Sequence, residues 1–473
     1  MSPTGVEHPP SARGFEVSRL TTVADKAHPA PRPWVDTSRA SSGPAWRRYL
    51  RALGPGLITG ASDDDPSGIA TYSQAGASLG FGLLWAALLT FPLMATVQEI
   101  CDRTALATGK GLGELATQHL QAKGRWFVAF LIGALIVANA LNISADLVAV
   151  GSGMNLLHVG PTAVWALVAG VGISILVVTG SFELVAGVFK LLCIALLGYI
   201  AMLFIVRVNW ASVASATLLP RISSSSSYLA LLVAVLGTTI SPYLFFWQTL
   251  HRVEEMRDEP AGGSRPKPLA DRSDHDAQKK QRTSRFDVLS GMAFSNIVMF
   301  AIIVATAVSI GAHGKHNIAS AAEAASALRP IAGEFASALF ALGFIGSGML
   351  AIPVLAGAGS AGMAGLLGKA AGFSRSPRKA PVFYGLVLLG TIGGSALSLI
   401  GVNPIRLLVL VAVINGVAAG PFLVLLMLIA GNSAIMGDYV NGRLARALGW
   451  ATAAIMATAA IVLFTFAGGG GLY

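Results

Sequence analysis

Charge is scarce in this chain. Only 12% of its 473 residues are Asp, Glu, Lys or Arg, about half the share of an ordinary soluble domain. A water-facing globular surface is therefore excluded for most of its length. Cysteine is nearly absent: Cys101 and Cys193 both fall in or beside apolar runs, which excludes a disulfide framework and a cysteine-based metal centre. No Ser/His/Asp, Cys/His or His-rich cluster occurs, so neither an enzymatic activity nor a bound cofactor is expected. The first 45 residues lack the apolar core of a secretory signal. They are polar and rich in Pro, Ser and Arg, so residues 1–50 are expected to form a disordered basic cytoplasmic tail, ending in an interfacial anchor at Trp46-Arg47-Arg48-Tyr49-Leu50-Arg51.

What fills the chain instead is hydrocarbon. Hydrophobic residues make up 54% of it, and mean hydropathy is +0.67. Apolar runs of spanning length, each needing about 20 residues, fall near 54–76, 79–107, 125–151, 161–180, 184–206, 228–252, 286–311, 333–360, 380–401, 404–430 and 447–467. The expected class is an all-α polytopic membrane protein of about eleven spans. The formal charge of +10 could suit nucleic acid, but the placement of the basic residues suits a bilayer better. With the N-terminus inside, Arg207, Arg221, Lys315, Arg329 and Arg406 lie on outer loops and Lys190 within a span. The other 27 of the 33 Lys and Arg lie on the tail and the inner loops. That bias predicts a cytoplasmic N-terminus in a plasma (inner) membrane. Residues 257–285, charged and containing Pro260, Pro266 and Pro268, read as a flexible cytoplasmic loop.

Two spans are broken. In the first, Asp63, Asp64 and Asp65 run into Pro66 and Gly68. Proline removes a backbone donor and disfavours helix in the residue before it. Carboxylates at bilayer depth are disfavoured by several kcal/mol unless they face a cavity or a partner. Unwound backbone there must line a polar site. In the sixth span Gly237, Thr238, Thr239 and Ser241 precede Pro242 at a comparable depth. Five spans separate the breaks, so the two halves have opposite orientation. Paired interruptions of this kind point to a transporter's midplane site. The repeats run over about 54–206 and 228–430, within a core of 51–430, with 447–467 as an additional helix.

A half-helix C-terminus presents carbonyls and attracts cations. Asp65 supplies the formal charge, and Ser62, Thr238 and Ser241 could add oxygens. Such a set suits a hard divalent cation, Mg²⁺ or Mn²⁺. Asp63 and Asp64 either join it or face a vestibule, and mutual repulsion keeps the three carboxylates from all being ionised together. Asp146, alone on an apolar span, is expected either to gate or pass protons or to make a structural hydrogen bond. Glu99, Asp102 and Arg103 at the inner end of span two read as a structural network. Asn142-Ile143-Ser144 matches a glycosylation pattern but lies inside a span, which discards it.

Several of these residues resemble one family. Gly54-Pro55-Gly56, Asp65-Pro66-Ser67-Gly68, Gln74-Ala75-Gly76-Ala77 and Leu83-Leu84-Trp85 are similar to the first two spans of the Nramp divalent-metal transporters. Ala145-Asp146-Leu147, the glycines from Gly343 to Gly348, Pro421-Phe422 and the stretch Met436–Asn441 continue the likeness. The resemblance implies a LeuT-like fold of two inverted five-helix repeats plus one extra span, with the first and sixth spans unwound. It also implies a divalent metal ion as substrate and import as the direction. The departures bear on selectivity. Gly68 stands where the family has Asn. Ser241-Pro242-Tyr243 replaces Met-Pro-His, Gln248 replaces a second histidine, Ala149 a glutamate, and Asn415 the tenth-span glutamine. Losing the thioether removes a bias against hard, hydrated ions, which resembles the Nramp-related magnesium transporters. Losing His and Glu puts proton coupling in question and leaves Asp146, Tyr243 and Gln248 as candidates for a proton route or gate. A monomer is the expected working unit. Two other readings are a LeuT-like, cation-coupled carrier of a small organic substrate and a membrane cation sensor that does not transport.

Overall fold

A computed structural model describes residues 55–179, 193, 196–204, 207–259, 265–309, 321–399 and 404–467. Among them are fifteen α-helices and no strand. Nine helical stretches are long and apolar enough to cross a membrane. The interrupted first span falls outside that number because its halves are short. The predicted span 184–206 lies mostly outside the described residues, as do the tail and Gly54.

The first span is two helices, α1 (Pro55–Asp63) and α2 (Pro66–Leu79). Pro66 takes the first position of α2, where its missing N–H costs nothing. Then come α3 (Leu84–Thr108), α4 (Leu112–His119), α5 (Ala122–Leu156), α6 (Thr162–Thr179) and α7 (Trp210–Leu218). The sixth span repeats the design: α8 (Ser226–Thr239) ends, and α9 (Pro242–Asp258) restarts on Pro242. The chain continues through α10 (Asp274–Ser309), α11 (Ala321–Leu366), α12 (Pro381–Ser398), α13 (Pro404–Ala430), α14 (Ser433–Met436) and α15 (Arg443–Ala467).

The broken spans pair crosswise. α1 packs on α9 and α2 packs on α8, as two half-helices of opposite orientation must if their breaks share one depth. α10 runs along α1, α2 and α3, while α5 packs against α11, α12 and α6. The α1–α10 crossing depends on glycine. A Cβ on Gly60 would strike the Gly291 backbone, and one on Gly56 would come within 2.6 Å of Val288. Small residues at such crossings let membrane helices approach closely. On the outside, Trp126, Phe130, Phe204 and Leu389 stand largely exposed. In water that would be costly; in lipid it is the expected surface.

The stretch 257–285 departs from the expected flexible loop. From Asp274 onward it is the first three turns of α10. Its Gln, Lys and Arg residues are good helix formers, and one of its charges is held twice over: Lys280 meets Glu255 at 2.9 Å and Glu259 at 2.5 Å. Before it, Leu269 is buried in a single 3₁₀ turn. Charge without apolar period reads as solvated chain in sequence, but here the partners come from α9. The helices α4 and α7 were not expected either, being too short to register as spans.

Candidate metal-transport site

At the first break Asp65 is extended (φ −66°, ψ 170°) and caps α2. Its Oδ1 accepts from the Gly68 N–H at 2.8 Å and from Ser67 Oγ at 2.5 Å. Its Oδ2 accepts from Asn142 Nδ2 at 2.8 Å, reaching across from α5, and from Tyr243 Oη at 3.3 Å, from α9. Tyr243 Oη also lies 3.2 Å from the carbonyl oxygen of Ser62 at the end of α1. One carboxylate therefore joins both broken spans to the scaffold helix α5. It is 1% exposed, closed off from either side.

Asp63 and Asp64 turn elsewhere. Both are fully buried and face α10, where the hydroxyl of Ser295 lies 2.7 Å from Asp63 Oδ2 and 3.2 Å from Asp64 Oδ1. A serine hydroxyl has one proton to donate, so it cannot serve two carboxylates. Asp63 Oδ1 and Asp64 Oδ2 make no hydrogen bond at all. Asp146, one turn beyond Asn142 on α5, is also fully buried, with neither carboxylate oxygen hydrogen-bonded. Among the described residues no Lys or Arg pairs with any of these four aspartates; the ion pairs lie elsewhere.

The sixth-span candidates divide. Thr238 Oγ1 would lie 3.2 Å from a Cβ placed on Gly68, so Thr238 and Gly68 meet where the breaks cross. That contact and Tyr72, 3.3 Å from the same point, fill the space that a larger residue at position 68 would need. The Ser241 hydroxyl bonds back to the carbonyls of Gly237 and Thr238 at 2.8 and 2.9 Å. It satisfies the end of α8 rather than facing Asp65. Ser62 Oγ likewise bonds its own helix, to Ile58 O at 2.6 Å, so only its carbonyl reaches the site. Asn415 is buried with Oδ1 unbonded. Gln248 is not in this group. It donates to Asp102 Oδ1 at 2.7 Å and accepts from Thr59.

Gln248 belongs to a second buried cluster. Asp102 accepts from Arg252 Nε at 2.5 Å and from Ser284. Arg252 also pairs with Glu255, and with Asp287 at 3.2 Å. Asp287 in turn accepts from the first N–H groups of α1, Gly56 at 2.8 Å and Leu57 at 3.3 Å. Of the expected network at the end of span two, Arg103 pairs with Glu99 and donates to the carbonyls of Tyr439 and Val440 and to Asn441 Oδ1, while Asp102 turns to the Arg252 cluster.

Sequence reasoning missed Ser67, Asn142 and Ser295. Asn142 carried a signal: a buried amide four residues before Asp146 shares its helix face, yet its glycosylation-like context invited dismissal. Among the described residues no three of His, Cys, Asp and Glu converge as a metal-ligand set. A cation here would be held by Asp65 together with neutral oxygens, as a transport site requires if its ligand must leave.

Comparison with known proteins gives the family and the fold. The protein-family model for natural resistance-associated macrophage protein-like (Nramp) chains matches residues 56–465. The divalent metal cation transporter MntH of Aeromonas hydrophila is 28% identical over 419 residues, covering 86% of this chain and 93% of the relative. The MntH of Klebsiella pneumoniae is 26% identical over 422 residues, covering 88% and 94%. Among solved structures, the manganese transporter of Eremococcus coleocola superposes with a TM-score of 0.71 at 16% identity, covering 90% of this chain and 87% of that one. Mhp1, a nucleobase-cation-symport-1 family transporter, does so with a TM-score of 0.52 at 12% identity, covering 89% and 94%. These likenesses show the fold, which is LeuT-like.

Proposed function

The chain belongs to the Nramp family, and on that footing we propose that it carries a divalent metal cation, Mg²⁺ or Mn²⁺, across the plasma membrane by alternating access, in the direction of import. The observation that carries this reading is Asp65, a buried carboxylate shared by both broken helices and the scaffold helix α5. Its Oδ2 edge, the Ser62 carbonyl, Thr238 and Asn415 form the hard oxygen set on which the cation would rest, part of its water shell kept. No thioether, thiol or imidazole stands among them, which favours hydrated Mg²⁺ and hard Mn²⁺ over softer metals.

Release requires the site to open on one side. The inner route is held by the Asp102–Arg252–Asp287 cluster, in which Asp287 caps the N-terminus of α1 and Arg252 ties it to α9. Swinging α1 away from α9 and α10 breaks those contacts and uncovers Asp65 from the cytoplasm. The outer step leaves them intact. Asp146 remains the candidate for any coupled proton.

Uptake of Mg²⁺ and Mn²⁺ into proteoliposomes tests the reading. Asp65→Ala is expected to abolish flux of both ions in vesicles where the wild-type protein transports. Undiminished flux in that variant would move the site away from the crossing of the breaks.

A further inference from the structure

A cleft unconnected with the transport site lies at the end of the molecule where the inner loops gather. Its walls are the first turn of α4, the last turns of α9 and the end of α11 with the loop that follows it. Three cations line it, Arg257, Lys369 and Arg375, against one carboxylate, Glu114. Arg257 and Arg375 line the same cleft, and the charge of Arg375 acts against that of Arg257. Each has a buried Nε that meets no acceptor among the described residues; among those residues the Arg257 side chain donates from Nη1 to Ser374 Oγ at 3.0 Å. Two arginines lining one partly buried cleft, with donors to spare, are costly unless an anion joins them.

The backbone adds to the same wall. The N-cap of α4 is Gly111, which has no side chain to cap the helix, and Gly111, Leu112 and Gly113 line the cleft, so the positive end of that helix borders it. α11 stops at Leu366, and two residues on, Gly368 takes the left-handed region at φ +64°. The Lys369 N–H turns back to Ala364 O at 2.8 Å, which brings the lysine to the mouth. Three carboxylates, Glu254, Asp258 and Glu114, offset part of the charge on Arg257. Glu114 accepts from Gln118 at 3.2 Å, and Glu254 lies behind the wall, accepting from the Ser374 N–H at 2.7 Å.

We propose that this cleft binds a phosphate group, held between Arg257 and Arg375, with Lys369 at the rim and the start of α4 beneath. Guanidinium forks and helix N-termini are the groups that match a tetrahedral dianion. Bound phosphate would tie α9, the helix from which α1 swings away, to α4 and α11, and so bias the transport cycle from a distance. The phosphate could come from an anionic lipid headgroup at the inner leaflet or from a soluble ion. The chemistry is shared, and experiment separates the sources.

The test is thermal unfolding of the full-length protein in two arms, each comparing wild type with the double variant Arg257→Gln/Arg375→Gln. One arm uses phosphatidylcholine nanodiscs with and without phosphatidylglycerol. The other adds inorganic phosphate against chloride at matched ionic strength in pure phosphatidylcholine. A saturable rise in wild-type Tm that the double variant loses is the expected result. A rise with phosphatidylglycerol alone identifies a lipid, and a rise with free phosphate identifies the soluble ion. If the double variant does not fold, Lys369→Gln, an exposed change, is expected to weaken the effect several-fold. No shift in either arm, or shifts that the variants retain in full, would overturn the proposal. Neither arm depends on which metal is carried.

Discussion

Two clusters of buried acid touch the broken helices, and they are solved in opposite ways. Asp102, Glu255 and Asp287 surround Arg252, and the carboxylate oxygens of Asp102 and Asp287 also accept from Gln248, Ser284 and the first amides of α1. Asp63, Asp64, Asp65 and Asp146 have no Lys or Arg partner among the described residues, and they share a few hydroxyls, one amide and one backbone N–H. A buried carboxylate without a counter-charge is expensive. The first cluster is complete as it stands and acts as a latch. The second is short of positive charge, which is the condition of a site that awaits a cation.

The contrast gives opposite signs to similar substitutions. Arg252→Met should be the most damaging change. Removing the central cation of a buried network strands its carboxylates and costs about 3–5 kcal/mol, read as a large fall in Tm or loss of folded protein. Asp63→Asn should act the other way. It removes a charge that has no cationic partner, so the metal-free protein should become more stable by about 1–2 kcal/mol, while the rise in Tm on adding Mn²⁺ or Mg²⁺ shrinks. Equal destabilisation by both variants would erase the distinction between latch and site.

The distinction was only half legible in sequence. Both breaks were visible because proline and glycine act locally, whatever surrounds them. Asp65 and Asp146 stood out because charge in an apolar run is conspicuous. What escaped was pairing. Nothing near Asp64 in sequence points to Ser295, and nothing near Asp65 points to Asn142, 77 positions away. The charged run at 274–285 was taken for loop because Glu255 and Glu259, which pair with its Lys280, lie on another helix. Ser241 was read as a ligand from its position; its rotamer, set by the open carbonyls of Gly237 and Thr238, could not be inferred.

Ser241→Met is therefore a sharper test than the replacement of one ligand by another. Methionine cannot donate to the α8 carbonyls, so its side chain is released from the helix end and can turn to the crossing of the breaks. A thioether there favours softer, less hydrated ions. The expected result is a shift in the Mn²⁺/Mg²⁺ uptake ratio of about tenfold toward Mn²⁺, about 1.4 kcal/mol, with Cd²⁺ gaining as well. An unchanged ratio would mean that position 241 belongs to the structural end of α8 only.

Tyr243→Phe probes the join between the two broken spans and should have the smallest effect. The phenol has one proton and two acceptors, the Ser62 carbonyl at 3.2 Å and Asp65 Oδ2 at 3.3 Å. It fastens α9 to the end of α1 whichever it chooses. Its loss removes one buried hydrogen bond, worth about 1 kcal/mol, and should lower Tm by a few degrees. Asp65 keeps its other donors, Gly68 N–H, Ser67 and Asn142, so the carboxylate stays placed and flux should survive at a reduced rate. If Tyr243→Phe abolished transport as fully as Asp65→Ala, the phenol would have to touch the ion itself, and α9 would add a ligand to the one that Thr238 offers from α8.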